Sequence, residues 1–124
     1  MIHQFIISST PKMSQRYILT IDLVAKTFTY KNTTLVEEVF KKLSEQQFTE
    51  VTQILNQAKQ INPTAYQGEV KVSNTFYWEF DFIDDKGNIV EIEGVNKIDD
   101  QVLDIFKQLE TVIECPLGYR EYIR

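Results

Sequence analysis

The sequence predicts an α+β fold: an antiparallel sheet of about five to six strands with three helices packed on one face, in the order β-β-β-α-α-β-β-β-α. Three observations predict it. Segments 16–23, 76–83 and 89–93 alternate apolar and polar residues, as half-buried strands do. Segments 34–60 and 100–113 repeat apolar residues at helical spacing, with capping signals at their starts. No linker, repeat or low-complexity tract interrupts the 124 residues, so 1–124 reads as one domain.

The elements follow in order. "HQFIIS", 3–8, is a short strand that Pro11 is expected to break, because proline lacks a backbone donor. In "RYILTIDL", 16–23, Tyr17, Leu19, Ile21 and Leu23 share one face. In "TFTYK", 27–31, Phe28 and Tyr30 do the same. A turn at Ala25-Lys26, or a four-residue loop in the same register, sets Leu23 opposite Phe28 and Ile21 opposite Tyr30, a hairpin whose apolar faces coincide. Thr34 and Glu37 have the spacing of a capping box, and Val36, Val39, Phe40 and Leu43 then fall on one helical face. Ser44 and Gln47 make a second box, opening a helix lined by Phe48, Val51, Ile54, Leu55 and Ala58 that Asn62-Pro63 ends. "GEVKV", 68–72, reads as a further strand.

Strands 76–83 and 89–93 form a hairpin around Asp85-Lys86-Gly87, with Gly87 left-handed. That turn sets the register: Ile83 opposite Ile89, Phe82 opposite Val90, Asp81 opposite Glu91, Phe80 opposite Ile92 and Glu79 opposite Glu93. Phe76, Trp78, Phe80, Phe82, Val90 and Ile92 then form a continuous apolar surface, read as the floor of the core. Asp99 or Asp100 caps a last helix carrying Val102, Ile105, Phe106, Leu109, Val112 and Ile113, which Pro116 and Gly118 stop.

Composition narrows the function classes. Net charge is -5 and the 13 Lys and Arg are scattered, with Lys41-Lys42 the densest pair; a nucleic-acid binder would carry a basic stripe. With one cysteine, Cys115, and one histidine, His3, neither an internal disulfide nor a Cys/His metal cluster can form. A nucleophile-histidine pair would rest on His3 beside the terminus. Glu114 and the negative end of the last helix disfavour a reactive thiolate at Cys115. "EGVNK", 93–97, has one glycine among acids and reads as a turn rather than a phosphate loop. No stretch approaches the roughly 20 apolar residues that span a bilayer, so a cytoplasmic protein without membrane or nucleic-acid partners is expected, and no cofactor, metal or catalytic residue is assigned.

The feature that remains is the reverse face of the aromatic hairpin. There Asp81 opposes Glu91 and Glu79 opposes Glu93, beside Tyr77. Like charges directly opposed on a ladder destabilise it, by a few tenths of a kcal/mol to about 1 kcal/mol per pair. Basic neighbours such as Arg16, Lys31 or Lys71, water, or a basic partner protein would offset that cost. A carboxylate pair at glycosidase spacing arises on any acidic strand face and carries no argument alone. The tail "GYREYIR" adds Tyr119, Arg120 and Tyr122, residue types that interfaces favour.

"FYWEFDFIDDKGNIVEIEGVNKIDDQVLDIFKQL" resembles the C-terminal half of small bacterial α+β domains that have no established activity. Their pattern is a tryptophan strand, a turn, a second strand ending in Gly-x-Asn, and an amphipathic helix; Trp78, Gly94 and Asn96 carry the match. "YILTIDLVAKTFTY" and the paired helices are similar to their first half, so the resemblance spans 16 to about 113. It implies the same fold and adds no activity. The expectation is therefore a non-enzymatic domain that binds another protein through Tyr77, Glu79, Asp81, Glu91 and Glu93, or through Tyr119, Arg120 and Tyr122. The alternative is a small-molecule domain with a pocket between sheet and helices.

Overall fold

The computed structural model describes residues 1–12, 15–35, 37–61, 77–95, 98 and 100–118. They form an α+β domain: β1 (Ile2–Lys12), β2 (Gln15–Asp22), β3 (Thr27–Asn32), β4 (Val39–Lys42), α1 (Glu45–Ala58), β5 (Tyr77–Asp84), β6 (Ile89–Val95) and α2 (Asp100–Ile113). The strands make one antiparallel sheet in the order β4-β3-β2-β1-β5-β6.

Registers across the sheet line up into rows, and directly opposed residues share a face. One row runs Val39, Tyr30, Leu19, Ile7, Phe80, Ile92, and the next runs Lys41, Phe28, Ile21, Phe5, Phe82, Val90. The middle members of both rows are buried, whereas Lys41 and Val90 at the ends are exposed. The core thus sits over the central strands. α1 contributes Val51, Ile54, Leu55 and Ala58, and α2 contributes Val102, Ile105, Phe106, Leu109 and Ile113. Phe80 meets Phe106 at 5.4 Å between ring centroids and Trp78 at 5.1 Å, which ties sheet to helix. Phe5 stacks on Phe82 at 5.0 Å.

Two helices are described where three were expected. The stretch read as the first helix is a turn followed by strand β4. The reason lies just upstream: Asn32 Oδ1 accepts from the Thr34 and Leu35 N–H groups, at 2.9 and 3.1 Å, and from the Thr34 hydroxyl at 2.6 Å. Those donors are spent in an Asx-type turn instead of a capping box. The chain then doubles back and Val39 to Lys42 pair with β3, leaving Phe40 67% exposed instead of in the core. The Ser44–Gln47 capping box is present as expected. The expected strand 68–72 and Phe76 lie outside the described residues.

Three details also differ. β1 continues through Pro11, because its pairing with β2 is irregular between Ser9 and Lys12 and asks no regular donor of the proline. The β2–β3 loop has four residues, with Lys26 at φ 57, so Ile21 opposes Phe28 and Leu19 opposes Tyr30. That register is two residues from the expected one and keeps the apolar faces together. Val90 is 57% exposed, because β6 is the outermost described strand on its side and nothing described packs over its end. The β5–β6 register and the left-handed Gly87, at φ 81, are as expected.

Beyond α2, Glu114 turns left-handed at φ 60 and the chain returns to the sheet. The Tyr30 hydroxyl donates to the Pro116 carbonyl and accepts from Asn32 Nδ2. Gly118 lies against the Tyr17 ring at φ 76, where an added Cβ would come within 2.7 Å of that ring. Among the described residues no helix is long and apolar enough to cross a membrane.

Candidate functional site

The face of the sheet opposite the helices carries the acidic cluster. β5 alternates Trp78, Phe80 and Phe82 toward the core with Tyr77, Glu79 and Asp81 away from it. β6 adds Glu91 opposite Asp81 and Glu93 opposite Glu79. On the other side β1 sets Thr10 beside Tyr77, Ser8 beside Glu79 and Ile6 beside Asp81. No cation stands in that row of β1. Arg16 and Lys31 belong to β2 and β3, further across the sheet, and Lys71 lies outside the described residues. Among the described residues the ion pair within 4.0 Å joins the terminal ammonium to Asp85, not to this cluster.

The carboxylates converge. One oxygen each of Glu79, Asp81 and Glu91 lie within 4.8 Å of one another. The Tyr77 hydroxyl lies 2.6 Å from both Glu79 Oε1 and Glu93 Oε2. One hydroxyl proton is donated to one of these oxygens at a time. Burial and the two carboxylates push the Tyr77 phenol far above its usual range. Asp81 is pushed up to about 7, by burial first, then by its hydrogen bond to Glu79 and the charges of Glu79, Glu91 and Glu93. Among the described residues its Oδ1 is buried without a hydrogen-bond partner, and burial without a donor disfavours the charged form.

Three carboxylates gathered on a strand face are common without an ion, so the cluster by itself assigns no metal. Elsewhere, a cavity of about 300 Å³ lies between the helices, lined by Glu50, Ile54, Asp104, Lys107, Gln108 and Thr111 among others. Another of about 200 Å³ opens at one end of the sheet between Ile2, Lys59, Ile61, Phe82, Val90 and Ile92. Burial, with Glu114 adding to it, raises the Cys115 thiol above its ordinary value although Lys41 opposes this, so no activated thiolate stands here.

The structure brings Tyr77, Glu79, Asp81, Glu91 and Glu93 onto one patch, while Tyr119, Arg120 and Tyr122 lie outside the described residues. Sequence reading missed the neutral flank of Ile6, Ser8 and Thr10. The β1–β5 pairing joins segments about seventy residues apart, and no local pattern encodes it. Compared with known proteins, the chain matches no family model, no curated protein and no solved structure.

Proposed function

We propose that this chain is a non-enzymatic protein-interaction domain whose acidic sheet face receives a basic segment of a partner protein. The observation that carries the reading is the row of acids whose neighbouring strand offers Thr10, Ser8 and Ile6 in place of a cation. A Lys or Arg side chain laid across Glu79, Asp81, Glu91 and Glu93 would relieve both like-charge pairs. Tyr77 would supply the face of a half-buried aromatic ring to that cation. The alternative, a small-molecule domain, draws its support from the cavity at the sheet end. It is the weaker reading, because between sheet and helices the space is filled by Trp78, Phe80, Phe106 and Leu109, each fully buried.

Capture of partners from a cell extract at low and high salt tests the proposal, with NMR mapping of the protein bound to whatever is retained. Retention is expected to fall at least about tenfold when Glu79→Lys and Asp81→Lys are combined, and shifts are expected at Tyr77, Glu79, Asp81, Glu91 and Glu93. Retention unchanged by the charge reversal, or shifts elsewhere on the molecule, would overturn it.

A further inference from the structure

The two edges of the described sheet are unlike in charge and alike in exposed apolar surface. β4 ends one side with Phe40, Lys41 and Lys42, all exposed. β6 ends the other with Ile89, Val90 and Glu91, also exposed. Phe40, Ile89 and Val90 are 67%, 56% and 57% exposed, half of the large apolar side chains so exposed among the described residues. Sheet edges usually carry devices that prevent pairing with another chain. Here each edge carries an apolar surface with charges of one sign.

The backbone is oriented for pairing at both edges. On β4, the Leu43 N–H donates to the Lys26 carbonyl. Hydrogen-bonded and non-bonded pairs alternate along an antiparallel ladder, so the N–H and C=O groups of Phe40 and Lys42 point away from β3. On β6, the Asp84 N–H donates to the Asn88 carbonyl, so those of Ile89, Glu91 and Glu93 point away from β5. Among the described residues no strand pairs with either outer edge.

We propose that copies of this chain join head to tail, β4 of one copy pairing antiparallel with β6 of the next. Every neighbouring pair in the six-stranded sheet is antiparallel, so β4 and β6 run in opposite directions. A second copy in the same orientation therefore presents an antiparallel edge, with its helices on the same side of the extended sheet. The side-chain faces agree too. Phe40 lies in one row with Thr29, Thr20, Ile6, Asp81 and Glu91, and Lys42 lies in one row with Thr27, Asp22, Gln4, Ile83 and Ile89. Continuing the rows across the joint sets Phe40 of one copy opposite Glu91 of the next. Lys41 then lies opposite Val90, and Lys42 opposite Ile89 and diagonal to Glu91. Diagonal neighbours on a ladder are about 7–8 Å apart at the backbone, within reach of a lysine. The outward-pointing residues meet each other in these registers, so the backbone hydrogen bonds can form, and the Lys42–Glu91 diagonal supplies the charge contact across the joint. Such a contact uses different surfaces on the two copies, so it propagates into chains or closes into rings.

Sedimentation over a range of protein concentrations tests this, with hydrogen exchange read at single residues. The wild-type chain is expected to associate progressively, less so at high salt. Amides of Phe40, Lys42, Ile89 and Glu91 are expected to gain protection with concentration. Lys42→Glu and Glu91→Lys each place like charges at the joint and are expected to weaken association by about tenfold. An equimolar mixture of the two variants restores opposite charges at every joint and is expected to associate again. Both substituted positions are exposed, so matching circular dichroism and melting temperatures establish that the variants fold. A chain that stays monomeric at all concentrations would make Lys41 and Lys42 charges that blunt the edge, and would overturn the proposal. Association that Lys42→Glu leaves unchanged, or that the mixture fails to restore, would overturn it equally. Lys42 lies on the far edge from the acidic cluster, so its outcome is separate from that of the Glu79 and Asp81 substitutions.

Discussion

Trp78→Ala is expected to lower the unfolding free energy by about 3–5 kcal/mol, measured by urea denaturation with tryptophan-independent detection. Trp78 has no exposed surface, stands on β5, one strand in from the β6 edge, and packs against Phe80, whose ring meets Phe106 of α2. Truncation removes apolar burial and leaves a cavity at the joint between sheet and helix, where the surrounding rings relax only in part. Domains of this size are stable by roughly 5–15 kcal/mol, so the loss is a large share of the total. Val90→Ala is the contrast. Val90 shares a row with Phe82 and Phe5, yet it is 57% exposed, and its truncation is expected to cost less than about 0.5 kcal/mol. Equal costs at the two positions would contradict this picture of the core.

Asp81→Asn is expected to stabilise the fold at pH 8 by about 2 kcal/mol and to change it little at pH 4. The sign follows from the direction of the shift. Asp81 is raised from an ordinary value of 3.8 to about 7 in the folded chain, so the folded state holds this proton more tightly than the unfolded one. That contribution is fully present below the unfolded value and is lost as pH rises through about 7. Burial and the charges of Glu79, Glu91 and Glu93 cause the shift, and partial exposure reduces the free energy it represents. Asparagine has the same shape and no charge, so the difference between the two stability curves isolates the titration. A difference that stays flat from pH 4 to 8 would show that Asp81 does not hold its proton there.

The acidic site was legible because it depends on one hairpin. The Asp85-Lys86-Gly87 turn sets the β5–β6 register, and that register alone places Glu79 opposite Glu93 and Asp81 opposite Glu91. α1 was legible through the Ser44–Gln47 box, whose two hydrogen bonds are made within four residues. The segment before it misled for a related reason. Thr34 and Glu37 have capping-box spacing too, but the Asn32 carboxamide reaches the Thr34 and Leu35 amides first. Two local signals compete there, and pairing with β3 settles the outcome by drawing Val39 to Lys42 into the sheet.

By itself the sequence determined the α+β class, the aromatic floor of Trp78, Phe80 and Phe82, and the acidic reverse of the hairpin. Each follows from side-chain alternation and turn chemistry within about twenty residues. Only the tertiary structure decided that β1 lies between β2 and β5, that the acids therefore border Ile6, Ser8 and Thr10, and that β4 and β6 end the described sheet. Strand order arises from pairing between distant segments, where the gain is burial of a shared face, and any strand of matching pattern satisfies that condition locally. The same ordering leaves Phe40 and Val90 exposed, since an apolar side chain is buried only where a neighbour covers it.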